Sequence, residues 1–369
     1  MNKPDIILVA NSPGELSALV KPVAEELAKF KTYRVILVLT PCQYISGKEM
    51  EFSLSLKGID GIVSAGEYKR WALLNKKPKH LSFAQKGAVL FLGGDLTHAV
   101  VIAKKLGYPA FAYLNERIAW TGFYRRFFSP DLLTFNRFHK KTRPGKIKIT
   151  GNLMVDSVSD LKNWEPEENI ITFMPGSRKW EIDYMTPFYK KVMELIRKVD
   201  KNVKFQIVSS PFVKAHPLEG AKMVEFDKIH NSELVVTIPG TNTAKIAARG
   251  IPMIVVFPLN HPEVIPLDGI AEIIGSIPIM GKAFKKTVAN IINNKTRFFA
   301  LPNQKAGRQV VPEIRGQVEP LSVALKVLLL LKDQAERNQM SRELIAAMGK
   351  PGAAVKIVEE LSESISQAG

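Results

Sequence analysis

The chain has 369 residues, an apolar content of 46% and a formal charge of +17. Its length suits two ordinary domains rather than one small core. The apolar content is that of a globular protein. The cationic excess points to nucleic acid, anionic lipid surfaces or phosphorylated ligands as partners. Cys42 is the sole cysteine. An internal disulfide and a cysteine-based metal site are therefore excluded, and a reducing cytoplasm fits.

The opening residues hold about five consecutive apolar side chains, short of the roughly 7–15 of a signal peptide, and read as a first strand. Further short apolar runs predict strands at 34–39, 61–64, 88–92, 110–114, 132–135 and 146–149. Amphipathic segments at 15–30 and 97–106 lie between them. Such alternation predicts a parallel sheet with helices on both faces. A polar stretch at 161–168 then precedes a restart. Strands follow at 170–174, 204–208, 223–226, 234–238 and 253–257, with helices at 184–199, 242–248 and 284–294. From 320 to 368 the pattern is almost wholly helical, with breaks near Gln334 and at Lys350-Pro351-Gly352. The apolar run at 321–331 is interrupted by Ser322 and Lys326, and it is shorter than the ~20 residues of a membrane span. Any membrane contact is thus expected to be peripheral.

The expected domains are 1–163 and 164–335, with 336–369 as helices that pack back across the domains or into a dimer. Ligands in doubly wound sheets sit at the carboxyl ends of strands, so the loops after strands hold the candidate site. In Pro175-Gly176-Ser177-Arg178 an apolar run ends in a glycine turn and opens a helix. Gly176 permits close backbone approach, the helix N-terminus suits phosphate, and Arg178 can grip oxygens in a bidentate way. An ordinary turn with a solvated cation has the same sequence. Pro239-Gly240-Thr241-Asn242-Thr243 repeats the arrangement, where the hydroxyls either cap the helix or help to bind an anion. Two such turns in one sheet fit a single ligand lying across both.

After the first strand come Asn11, Ser12 and Gly14, with Glu15 in the first helical turn. Glu15 either complements the helix dipole or holds a sugar hydroxyl and takes a proton. In Gly93-Gly94-Asp95, Asp95 is either an N-cap or a general base. His98 reads as packing or a cap-adjacent contact. No pattern calls for a protein-bound metal or a cofactor. Between Trp120 and Lys146, aromatics interleave with Arg125, Arg126, Arg137, Lys140, Lys141 and Arg143. That mixture suits a lipid headgroup zone, a single-stranded nucleic acid, or a packed helix with a solvated edge.

Several segments resemble the lipid-A-disaccharide synthases. They are "TFMPGSRKWEI", "ITGNLMVDSV", "PGTNTAKIAARGIPMIVVF" and "LPNQKAGRQVVPEIRG", in the family's order. The resemblance implies two facing Rossmann-like domains, the GT-B arrangement, with a helical C-terminal region and a nucleotide-sugar donor on the second domain. It assigns Gly176, Ser177 and Arg178 to the diphosphate, Gly240, Thr241, Asn242 and Thr243 to the nucleotide, and Asn303 and Arg308 to the completed donor site. It puts Asn11, Ser12 and Gly14 on the acceptor side and makes Asp95, beside Glu15, the candidate base. Three departures mark a divergent relative. After the first strand the family's Gly-Glu-x-Ser-Gly-Asp pattern is replaced by Asn11-Ser12-Pro13-Gly14-Glu15, in which only Gly14-Glu15 match its Gly-Asp. Asn152 stands where the family has histidine, and Lys245 where it usually has a glutamate that holds ribose. A lysine cannot accept those hydrogen bonds, although it can reach a phosphate. The expectation is a hexosyltransferase at the cytoplasmic membrane surface. Its donor would be a nucleotide diphosphate sugar, UDP-linked by resemblance, and its acceptor lipid-linked. The family suggests a homodimer, and no recognised nucleic-acid module occurs. A nucleotide-sugar 2-epimerase and a non-catalytic nucleotide-sugar-binding relative are the alternatives.

Overall fold

The structure is a computed structural model that describes residues 3–41, 48–114, 117–213, 217–260 and 296–367. The chain divides into two compact units, Met1–Ser157 with Lys350–Gly369, and Val158–Gly349. The helix expected at 284–294 lies outside the described residues.

The first unit holds β1 (Asp5–Ala10), β2 (Arg34–Leu39), β3 (Gly61–Val63), β4 (Gly87–Phe91), β5 (Ala110–Tyr113), β6 (Tyr124–Ser129) and β7 (Ile147–Ile149). They form a seven-stranded parallel sheet in the order β3-β2-β1-β4-β5-β6-β7. Its helices are α1 (Pro13–Glu15), α2 (Lys21–Ala28), α3 (Glu49–Ser55), α4 (Ala65–Leu74), α5 (Leu96–Leu106), α6 (Leu132–Phe138) and α7 (Leu153–Asp156), and a π-helical turn, Leu16–Val20, joins α1 to α2. Every residue of β1 is buried. Ile6, Leu8 and Ala10 enter one apolar core, while Ile7 and Val9 enter the core on the other face. A sheet covered on both sides thus explains an apolar run without alternation. The buried carboxylate of Asp5 is matched by Arg34 Nε and Nη2 at 2.8 and 3.0 Å and by the Ala84 amide at 2.7 Å.

One expectation fails in this unit, and one strand was not expected. Residues 132–135 belong to a helix, because the Asp131 side chain accepts from Thr134 N at 2.8 Å and starts α6. The strand in this region is β6, whose paired arginines obscure the apolar run in "YRRFFS".

The second unit holds β8 (Ile170–Met174), β9 (Lys204–Val208), β10 (Ala221–Val224), β11 (Leu234–Thr237), β12 (Met253–Pro258) and β13 (Glu313–Gly316). Their order is β10-β9-β8-β11-β12-β13, again parallel. The described helices are α8 (Lys179–Val199), α9 (Thr241–Ala248), α10 (Leu301–Ala306), α11 (Pro320–Lys332) and α12 (Gln334–Met348). The edge strand β13, "EIRG", is half-buried throughout, too polar to register as an apolar run. Arg249, 1% exposed, donates to the carbonyls of Lys162, Phe226 and Asp227, each at 2.8 Å. Trp164 N returns a bond to Arg249 O at 3.0 Å, which fastens the 161–168 stretch to this unit.

The last helix, α13 (Ala353–Gln367), rejoins the first unit. Ala353, Ala354, Ile357, Val358, Leu361 and Ile365 complete the core that holds Ile6 and Leu8. Asp156 accepts from the amides of Gly352 at 2.7 Å and Ala354 at 2.6 Å, which caps the start of the helix. Glu360 meets both Arg126 Nη1 and Lys148 Nζ at 2.5 Å.

Candidate functional site

In each sheet the strand order turns back at one place, and the strands on either side of such a switch point send their loops to a common edge. In the second sheet these strands are β8 and β11. Met174 pairs with Thr237, so the Pro175–Arg178 and Pro239–Thr243 loops leave side by side. In the first sheet they are β1 and β4. Val9 pairs with Phe91, so the Asn11–Glu15 and Gly93–Asp95 loops adjoin. The four loops singled out from sequence are thus the switch-point loops of the two units.

The two helix starts of the second unit differ. At α8, Glu181 reaches back and accepts from Ser177 N at 2.8 Å and Arg178 N at 3.0 Å. Its other oxygen lies 3.5 Å from Arg178 Nη1. Gly176 holds φ +119°, and a Cβ there would stand 2.3 Å from Glu181 Oε2. The chain's own carboxylate therefore fills the nest expected to receive a diphosphate. The Arg178 side chain is partly exposed and lies beside Glu181. At α9 the arrangement differs. Gly240 has φ +134°, and among the described residues a Cβ there would meet nothing within 4 Å and no side chain caps the helix. The first-turn amides of Thr241 and Asn242 keep the partial positive charge of a helix N-terminus.

Thr243 is buried. Its hydroxyl donates to Gly240 O at 2.8 Å and accepts from Leu301 N at 3.2 Å, which braces the loop. Lys245 is also buried, its Nζ 5.8 Å from the centre of the Phe226 ring. Asn303 departs from the resemblance. Fully buried, it donates to Val311 O at 2.9 Å and Glu313 Oε1 at 2.8 Å, and accepts from Val310 N and Val311 N at 2.7 and 2.9 Å. Both donors and both acceptor directions of the amide are spent inside the fold. Arg308 is exposed and pairs with Glu343 of α12 at 2.7 Å. The side chains of Asn303 and Arg308 are thus engaged inside the fold and on α12, not at the start of α9.

At the first unit's switch point, Glu15 Oε2 accepts from Asn11 N and Ser12 N at 3.0 and 3.1 Å, and Oε1 accepts from Gly94 N at 3.0 Å. Ser12 caps α1 by accepting from Glu15 N at 3.4 Å, and Ser17 Oγ donates to Gly14 O at 3.3 Å. Glu15 therefore rivets the two loops together, and its oxygens are held by amides rather than offered for proton transfer. Asp95 is more exposed. It caps α5, accepting from Thr97 N at 2.7 Å. Burial pushes its carboxyl up, but Thr97, His98 and Arg117 outweigh this and hold it below the usual carboxylate range. Asp95 is the carboxylate here that is exposed and ionised.

His98, in the first turn of α5, reads from sequence as packing or a cap-adjacent contact. Its Nδ1 lies 2.8 Å from the hydroxyl of the buried Tyr68. Trp120, with φ +54°, donates its indole N–H to Thr97 Oγ1 at 2.9 Å, which brings the loop after β5 to the same helix start. The aromatic and basic stretch is split by the fold. Tyr124, Phe127, Phe128 and Phe138 are core residues, whereas Trp120, Phe123, Leu132 and Leu133 are exposed. Arg125 donates to Gln367 at 2.9 Å, so part of the cationic run binds α13.

A model of the lipid-A-disaccharide synthetase family matches residues 149–265, which include both switch-point loops of the second unit. The lipid-A-disaccharide synthase of Anaeromyxobacter dehalogenans (strain 2CP-1 / ATCC BAA-258) is 25% identical over 207 residues, 52% of this chain and 48% of that protein. That of Syntrophus aciditrophicus (strain SB) is 24% identical over 285 residues, 68% of each chain. The chain thus resembles the lipid-A-disaccharide synthases at low identity. It spans about half the length of the first of these relatives. Solved structures agree on the fold. A putative UDP-N-acetylglucosamine 2-epimerase from Listeria monocytogenes has a TM-score of 0.59 at 12% identity, covering 97% of this chain and 95% of that one. The UDP-GlcNAc 2-epimerase from Neisseria meningitidis bound to UDP-GlcNAc has a TM-score of 0.58 at 13% identity, covering 97% and 100%. With the two parallel sheets, these likenesses put the chain in the two-domain α/β GT-B fold class.

Proposed function

We propose that the chain is a hexosyltransferase that takes a sugar from a nucleoside diphosphate donor, UDP-linked by analogy with its relatives, and passes it to a hydroxyl of a lipid-linked acceptor. The second unit holds the donor. Its phosphates face the start of α9 at Gly240, Thr241 and Asn242, and Arg178 neutralises the charge that grows on the departing diphosphate. The first unit holds the acceptor beside Asn11, Ser12 and Gly14, and Asp95 takes its proton. The observation that carries this reading is the glycine-led start of α9 at a switch point, which no side chain among the described residues caps, inside the stretch that matches the family model.

The charge of +17 and the exposed Trp120, Phe123, Leu132 and Leu133 support docking to an anionic membrane surface. No helix among the described residues is long and apolar enough to cross a membrane, so contact through the surface is the form this reading takes. The test is a thermal-shift screen against UDP, GDP, CDP and their sugars, followed by turnover with and without a lipid-linked glucosamine acceptor. A ligand that binds the folded chain raises the melting temperature. Sugar transfer only with acceptor present supports the transferase. Isomerisation of the donor without acceptor identifies an epimerase instead, and no nucleotide binding refutes the donor site.

A further inference from the structure

Thr40 is 2% exposed, and among the described residues its hydroxyl has no hydrogen-bond partner. Buried polar groups are nearly always paired, and an unpaired one costs stability. Thr40 stands at the edge of the first unit's switch point. Ala10 pairs with Leu39 as the last rung of β1 and β2, and Thr40 N donates to Ala10 O at 3.0 Å. Asn11 and Thr40 are therefore the next residues along two neighbouring strands. Side chains alternate along a strand, so both fall on the face of Val9 and Val38, which α4 and α5 cover.

Two glycines let the loop after β4 close on this pair. A Cβ on Gly93 would overlap the Glu15 carboxylate. Gly94 has φ +90°, and a Cβ there would stand 2.8 Å from Asn11 Nδ2 and 3.3 Å from Thr40 Oγ1. The Asn11 amide and the Thr40 hydroxyl thus adjoin one spot, a single residue before Asp95. The side chains brought in differ in what they do there. Glu15 is held by the amides of Asn11, Ser12 and Gly94, whereas the Asn11 side chain makes no hydrogen bond among the described residues.

We propose that Asn11 and Thr40 form a subsite that holds a hydroxyl of the acceptor sugar, next to the hydroxyl that gives its proton to Asp95. This rests on the transferase reading given above. The Asn11 amide nitrogen donates, and the threonine oxygen both donates and accepts. A sugar hydroxyl fits the pair, because it takes a hydrogen bond from Asn11 Nδ2 and gives its own proton to Thr40 Oγ1. An ether oxygen lacks that proton, and a methylene offers neither partner. The half-buried Asn11 is the side from which the sugar enters. The free protein already carries the cost of the unpaired Thr40 hydroxyl, so pairing it on binding adds affinity instead of replacing a bond to water. A site of this kind rejects an analogue without the hydroxyl far more strongly than apolar contacts do. Neither residue exchanges a proton in the transfer. They set which carbon of the acceptor stands at Asp95.

Calorimetry and saturation-transfer NMR of the full chain with octyl glucosaminide, octyl N-acetylglucosaminide and their monodeoxy analogues read the subsite without turnover. The wild-type chain is expected to bind a parent glycoside and to lose about tenfold or more in Kd with one of its deoxy analogues. Thr40→Val keeps the shape and removes the hydroxyl. It is expected to lose as much with the parent, to lose nothing further with that analogue, and to melt at a higher temperature than the wild type. Asn11→Ala is expected to weaken the parent glycoside similarly, and UDP affinity should be the same in all three proteins. No glycoside binding by the wild-type chain overturns the subsite. So does a glycoside affinity unchanged in either variant, or a lower melting temperature for Thr40→Val, which marks a hydroxyl used inside the fold. A wild-type chain that binds the glycoside through Thr40 but transfers no sugar overturns the transferase reading and leaves the subsite standing.

Discussion

Replacing Asn303 by alanine removes four hydrogen bonds at once from a position with no exposure to solvent. Two backbone amides, Val310 N and Val311 N, lose their acceptor. One carbonyl, Val311 O, loses a donor, and Glu313 loses one of the donors that hold its carboxylate. Glu313 also accepts from Phe299 N at 3.0 Å and Ala300 N at 2.9 Å, so it stays anchored. Stranded buried amides cost about 1–3 kcal/mol each, so a water that partly re-satisfies them leaves a local loss of ~3–4 kcal/mol. That corresponds to roughly a hundredfold or greater rise in local opening. Hydrogen–deuterium exchange by mass spectrometry should show it in peptides covering 299–316, while UDP affinity at low temperature changes less than threefold. Unchanged exchange combined with lost UDP affinity would refute the reasoning. It would put Asn303 at the donor, as the family resemblance implied.

Asp95→Asn keeps the cap oxygen but removes the base, and is expected to lower kcat by about 10²-fold or more with UDP affinity intact. Full turnover in this variant would remove Asp95 from the chemistry. Asp156→Ala frees the amides of Gly352 and Ala354 at the start of α13, a loss of about 1–2 kcal/mol. Faster exchange confined to 352–367 and the β6–β7 strands is the expected signature, and unchanged exchange would contradict it. Sedimentation with anionic vesicles should capture the protein at low salt and partly release it at high salt. No capture at any ionic strength would remove the membrane surface from the proposed function.

Much of the site was legible because the relevant signals are local. An apolar run, a glycine and a helical pattern suffice to mark a strand-to-helix loop, and all four such loops prove to flank a switch point. The role of Asp95 as a cap was equally readable, since a small acidic residue before an amphipathic segment has that use by local geometry. Glu15 carried a signal that was passed over. Ser12 and Glu15 have the spacing of a capping box, in which the glutamate turns back to the loop amides. Glu181 had no such signal, because arginine stands at the cap position before it, and only the folded loop shows the carboxylate in the nest. Asn303 is spent on Val310, Val311 and Glu313 a few residues on, and His98 on a tyrosine distant in the chain. Which way an asparagine amide turns, like the meeting of a tyrosine with a histidine 30 residues later, is set by packing that periodicity does not encode. β6 was lost to its arginines, whose role is to meet α13 more than 230 residues later.

The central claim is that nucleoside diphosphate binds in the second unit, at the start of α9 and against Arg178. Calorimetry of UDP with the wild-type chain and with Arg178→Ala tests it most directly. Loss of a charged hydrogen-bonding group should weaken binding by roughly 1.5–3 kcal/mol, more than tenfold in Kd. Equal affinity in the two proteins, or no binding of UDP, GDP or CDP to either, would contradict it.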